Sequence, residues 1–236
     1  CESQPRPIAP TQPPHGINPT KGEKWFSMRG LDSAPSGSAE VWTVYPSGSF
    51  ARILFSPLGI VSLGAELNQV SVDDYDSITA LESQTDFAYR LAVSSPPRDP
   101  LPEDARNLMT RVPENLDPRV RTLATEITAG CADDDARILA IKDYLVKSCQ
   151  YDLAGGPDKA PDPVSTFLLE TRKGHCEYFA SAAVILMRCA GVPARYVTGF
   201  VSDEFNPFPS LWIARTKDAH AWAEAYLQDK GWVTVE

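Results

Sequence analysis

An α+β fold follows from three observations on the sequence. Short strand signals recur at intervals of about ten residues between residues 37 and 95. The period then becomes helical, with helix starts marked by aspartate caps. Strand signals return after Pro193. Helices gathered first, with antiparallel strands after them, indicate α+β, because an α/β chain would alternate the two.

Residues 1–36 are rich in Pro, Gly and Ser and show no hydrophobic period. With Pro5, Pro7, Pro10, Pro13 and Pro14 they read as an extended linker or tail. Cys1 ahead of such a tether is the pattern of a processed bacterial lipoprotein, and equally what an arbitrary cut leaves. Residues 37–95 are expected to form a small β-rich unit, with strands near 39–45, 50–55, 59–63 and 86–93 and a turn at Ser47-Gly48. Residues 94–102, which hold Pro96, Pro97, Pro100 and Pro102, read as a second linker. Residues 103–236 then form the core domain, expected to continue past Glu236 because the strand pattern is still running there.

Within the core, Asp117-Pro118 is an N-cap followed by proline at the first helical position, and Gly130 closes that helix. Asp133 caps the next helix, whose apolar face is drawn by Ile138, Ile141 and Leu145 with the neighbouring Leu139. Asp162-Pro163 repeats the start signal before residues 164–169. A helix over residues 176–190 ends at Gly191 and Pro193. Strands are expected over residues 194–201, 211–214, 219–227 and 232–235.

Composition narrows the function. A formal net charge of −9 argues against nucleic acid or an anionic membrane surface as partner. No apolar run approaches the roughly 18 to 20 residues that a membrane span requires. The 5 cysteines do not suggest a disulfide scaffold. Cys131 and Cys149 bracket a helix and would lie more than ~20 Å apart, against a bridging limit of about 7 Å. Cys131, Cys149 and Cys189 read as small buried hydrophobes.

Cys176 differs. It opens a helix that is apolar on most of its circumference, since Glu177, Ser181 and Arg188 fall within about 40° of one another at 100° per residue. At the start of a buried helix, unpaired N–H groups and the dipole favour a thiolate and can hold a developing oxyanion.

His220 opens the alternating run His-Ala-Trp-Ala-Glu-Ala-Tyr-Leu. His220, Trp222, Glu224 and Tyr226 face one way, while Ala221, Ala223 and Ala225 leave the other face open to a closely packed helix. The strand of Trp232 to Glu236 returns after a turn at residues 228–231. If Tyr226 pairs with Trp232, Glu236 shares a face with His220 as its diagonal neighbour and can orient the imidazole. If Leu227 pairs with Trp232, the two point apart. His175 and Glu224 are weaker cleft candidates, Glu224 having Arg195 as an alternative partner, and His15 lies in the tail. Three scattered histidines give no zinc site, and no other cofactor or metal is called for.

The blocks Gly174-His175-Cys176-Glu177-Tyr178-Phe179-Ala180, Arg188 to Arg195, and Val197-Thr198-Gly199-Phe200 resemble the bacterial transglutaminase-like core. Asp218 to Glu224 and Gly231 to Glu236 continue the resemblance in order. It is close over residues 162–236 and looser back to residue 116. The resemblance implies a papain-like core, a Cys-bearing central helix packed on an antiparallel sheet, with catalytic Cys176, His220 and Glu236. The family more often has Asp at the last of these positions. It also implies that Tyr151 borders the oxyanion site.

The activity implied is cysteine-dependent acyl transfer on protein or peptide carboxamides through a thioester. Water as acceptor would make the same site a protease or deamidase, and a silent site would leave a binding module. An arylamine acetyltransferase shares the triad logic but fits the blocks less well. Residues 39–93 resemble what precedes this core in membrane-embedded bacterial members. That implies an extracytoplasmic domain tethered by lipid on Cys1 or by flanking membrane segments, acting on cell-envelope protein.

Overall fold

In a computed structural model of the protein, residues 5–28, 39–47, 52–81, 87–94, 100–208 and 210–236 are described. The chain divides into two compact units, residues 1–97 and 98–236. Cys1, Gly48, Pro96 and Pro97 lie outside the described residues.

The first unit is built from β1 (Arg6–Ile8), β2 (Pro10–Thr11), β3 (Lys24–Ser27), β4 (Glu40–Val44), β5 (Ile53–Leu54), β6 (Ile60–Ala65), β7 (Val70–Val72), β8 (Ile78–Ala80) and β9 (Tyr89–Val93). They form two antiparallel sheets, ordered β2-β3-β6-β9-β4 and β1-β7-β8-β5. Phe26, Leu63, Val70, Tyr89 and Leu91 fill the core of this unit.

Two corrections arise here. The proline-rich segment expected as a linker supplies β1, β2 and β3. Pro7 and Pro10 are tolerated because β1 and β2 are the edge strands of their sheets, where a missing N–H breaks no central ladder. The strands β7 and β8 were not expected at all, because three-residue strands carry too few alternations to register as a period.

The second unit begins with α1 (Glu103–Met109), α2 (Pro118–Ile127) and α3 (Asp134–Ser148). The short β10 (Gln150–Tyr151) follows, then α4 (Pro163–Thr166), a π-helical turn (Phe167–Thr171), β11 (Lys173–Gly174) and α5 (Cys176–Cys189). The remaining strands are β12 (Ala194–Phe200), β13 (Phe205–Asn206), β14 (Leu211–Trp212), β15 (Ala219–Leu227) and β16 (Gly231–Val235). The expected caps act as read, since Asp117, Asp133 and Asp162 each accept a backbone N–H at the start of their helices.

α5 is the centre of this unit. Ala182, Leu186 and Met187 are fully buried, whereas Glu177, Ser181 and Arg188 form its more exposed stripe. Burying Leu186 and Met187 contributes about 1.5–3 kcal/mol each. α2, α3 and α4 pack around it, and its remaining face lies on β12 and β15. These two strands and β16 form an antiparallel sheet ordered β12-β15-β16. Leu139 is a correction: it is 61% exposed, because it sits about a third of a turn off the face of Ile138, Ile141 and Leu145.

Candidate active site

The cysteine is delivered by a chain reversal. The π-helical turn ends at Arg172, in the left-handed region at φ 51°, with its N–H donating to Phe167 O at 2.9 Å. The chain then runs parallel to β10, with Gln150 N–H donating to Arg172 O at 2.7 Å and Asp152 N–H to Gly174 O at 2.9 Å. Gly174 is required, because a Cβ there would lie 2.7 Å from Tyr178 Cδ2. His175 is the extended N-cap of α5, its side chain making no cap hydrogen bond, and Cys176 is the first helical residue.

Two tyrosines flank Cys176. Tyr151 is set opposite Gly174 by the β10–β11 register. Its hydroxyl lies beside Cys176, and its pKa is raised by burial first and then by the charge of the neighbouring thiol. Tyr196, on β12 opposite Ala223, likewise has its pKa raised by burial and by the nearby Glu177 and Cys176. Tyr196 was missed from the sequence, although alternation along β12 places it on the helix-facing side. The ring of His175 packs edge-on against Tyr178, with centroids 4.8 Å apart. The Tyr178 hydroxyl is bonded to Asp158, and chiefly for that reason its pKa is pushed up to about 12.

α5 aims its N-terminus at the histidine end of the sheet. Near its C-terminus, Arg188 Nε donates to Ala194 O at 2.9 Å, tying the helix to the start of β12. From Arg188 back to Cys176 the helix covers about 18 Å. From Ala194 to Gly199 the strand covers about 17 Å. Gly199 is paired with His220.

The register of the last hairpin places the carboxylate. Tyr226 pairs with Trp232 and Ala223 with Val235, so Glu236 emerges on the face of Trp222 and His220. Glu236 Oε1 lies 2.6 Å from His220 Nε2. The side chains are 25% (His220) and 59% (Glu236) exposed, so the pair is solvent-screened and acts by orientation more than by stability.

Glu224 is engaged behind the histidine. Its Oε2 accepts from Arg195 Nε and Nη2, both at 2.8 Å, and Oε1 accepts from Trp222 Nε1 at 3.3 Å. Arg195 also lies over the Trp232 ring, 4.1 Å from its centroid. Burial raises the thiol pKa of Cys149 and Cys189, as expected of inert packing residues. Cys131, Cys149, Cys176 and Cys189 are all free thiols. Among the described residues, no group of three or more His, Cys, Asp or Glu side chains is arranged to hold a metal ion.

The family model of the Transglutaminase-like superfamily matches residues 121–236. The chain is 37% identical over 133 residues to the uncharacterized protein YebA of Bacillus subtilis strain 168, covering 53% of this chain and 18% of that protein. It is 35% identical over 132 residues to protein-glutamine gamma-glutamyltransferase of Pseudomonas aeruginosa PAO1, covering 56% of this chain and 19% of that protein. The chain thus spans less than a fifth of the length of these curated relatives. The crystal structure of the periplasmic domain of TgpA from Pseudomonas aeruginosa is similar at a TM-score of 0.71 and 22% identity, covering 99% of this chain and 75% of that one. That likeness extends the shared fold over both units.

Proposed function

We propose, for a chain whose residues 121–236 belong to the transglutaminase-like superfamily, that Cys176, His220 and Glu236 form a thiol acyl-transfer site for protein or peptide carboxamides. The observation that carries this is the 2.6 Å contact of Glu236 with His220 Nε2, at the sheet end toward which α5 points its cysteine. With Nε2 held by the carboxylate, Nδ1 is the nitrogen that takes the Cys176 proton around the end of the sheet.

The thiolate attacks the carboxamide carbon, the C–N bond breaks, and the leaving amine departs with a proton from His220. A thioester remains. A second amine then attacks it, the C–S bond breaks, and a proton returns to Cys176 through His220. The Cys176 N–H and the Tyr151 hydroxyl flank the developing oxyanion, and His175 borders the cleft.

The glutamyltransferase name of one relative supports a glutamine side chain as acyl donor and an amine as acceptor. The likeness to a periplasmic domain supports a place outside the cytoplasmic membrane, and we assign the chain to a longer membrane-attached protein that acts on the cell envelope. Among the described residues, no helix is long and apolar enough to cross a membrane.

The test is iodoacetamide trapping across pH, read by mass spectrometry on the intact chain, Cys176→Ala and His220→Ala. Fast alkylation of Cys176 well below pH 8, slowed in His220→Ala, is the expected result. Glutamine donors and amine acceptors are then screened for ammonia release and amide product. Ammonia without amine incorporation would give a hydrolase. Alkylation with the profile of free cysteine would sink the reading and leave a binding module.

A further inference from the structure

We propose that Glu224 is a positioning residue for His220, acting through the indole of Trp222; this rests on the reading that His220 serves Cys176. One hydrogen bond to a half-exposed carboxylate leaves an imidazole free to pivot about Nε2. The Trp222 ring removes that freedom. It stacks near-parallel to the imidazole, at 22° with centroids 6.4 Å apart. It also crosses to the neighbouring strand and covers Gly199, the pairing partner of His220, where a Cβ would lie 2.8 Å from Trp222 Cη2.

The indole is itself fixed from behind. Its Nε1–H donates to Glu224, whose other oxygen is held twice by Arg195. Glu224 and Arg195 are only 4% and 7% exposed. A buried ion pair is a poor source of stability compared with apolar side chains of the same volume, but it fixes directions well. Here the direction fixed is that of the Trp222 N–H, and through it the plane of the imidazole. Facing His220 are Glu236, the residue after β16, Trp222 from its own strand and the side-chain-free Gly199 from β12.

The experiment compares the intact chain with Trp222→Phe, Glu224→Gln, their double variant and Gly199→Ala. Trp222→Phe removes the N–H donor and leaves the Arg195–Glu224 pair intact. Gly199→Ala displaces the indole without touching that pair. The readouts are the His220 side-chain NMR titration, assigned with His220→Ala, and the pH profile of Cys176 alkylation. Thermal midpoints verify folding.

Each single variant is expected to shift the His220 ring-current position and titration midpoint. Each should slow Cys176 alkylation near neutral pH about tenfold, by analogy with the lower end of what the outer partners of metal-ligating histidines contribute. The double variant should be no slower than either single, since both break one linkage. Folded variants with an unchanged His220 titration, or with effects that add, would overturn the proposal. If Glu224→Gln does not fold, Trp222→Phe and Gly199→Ala decide it. If Cys176 of the intact chain alkylates like free cysteine, the acyl-transfer reading falls, while the His220 titration still decides the positioning.

Discussion

Glu236 reaches His220 because Tyr226 pairs with Trp232, and the 2.6 Å contact depends on the full length of the glutamate. Glu236→Asp withdraws the carboxylate by one methylene. We expect alkylation of Cys176 near pH 7 to fall about tenfold, because the shorter side chain no longer holds the imidazole in place. Glu236→Gln, which keeps the hydrogen bond and loses the charge, should fall at least as far. Tyr151→Phe removes a hydroxyl donor from the thiol. The thiolate then loses a neighbouring donor, and alkylation of Cys176 near neutral pH should slow. Cys149 and Cys189 follow the opposite logic. Burial raises their pKa, so below pH 8 the folded chain should label at Cys176 well before either, and the difference should vanish in denaturant.

At the scale of elements, the thiol is placed by a relay from α4 through the π-helical turn and β11 to α5. Asp162 starts that relay, its Oδ1 accepting Ser165 N–H at 3.0 Å. Asp162→Ala should cost about 1 kcal/mol, or roughly 2–4 °C in thermal midpoint. Gly174 completes it. A methyl group at that position meets Tyr178, so Gly174→Ala should destabilise by about 1–3 kcal/mol and slow Cys176 alkylation even where the domain remains folded. Both are read from thermal unfolding followed by circular dichroism and from alkylation at fixed pH. An unchanged alkylation rate in folded Gly174→Ala would show that the turn does not set the thiol's position.

At the scale of the whole molecule, no hydrophobic cluster of the described residues draws on both units. One is drawn from residues 116–235 and two from residues 25–92. Residues 98–236 expressed alone should therefore unfold cooperatively, with the same Cys176 alkylation profile as the intact chain. A molten or aggregated fragment would show instead that the first unit is needed for folding.

Sequence reading went furthest where a signal is local. The caps at Asp117, Asp133 and Asp162, the buried circumference of α5 and the alternation of β15 are all one-dimensional patterns. Each needs only the bond geometry of its own segment. The strands of residues 6–27 were unreadable, because a proline at a sheet edge looks the same in sequence as a proline in a linker. Tyr196 escaped for a related reason, since an aromatic residue on a strand does not say what packs over it. The candidate nucleophile and histidine were thus nameable from residue type and local pattern, whereas the acid rested on the family resemblance and on one of two possible registers. The choice between two hairpin registers, the delivery of Tyr151 to the thiol, and the use of Trp222 by Glu224 belong to the tertiary structure. Each depends on contacts between segments far apart in the chain, where a one-residue slip would turn the same side chains to the opposite face.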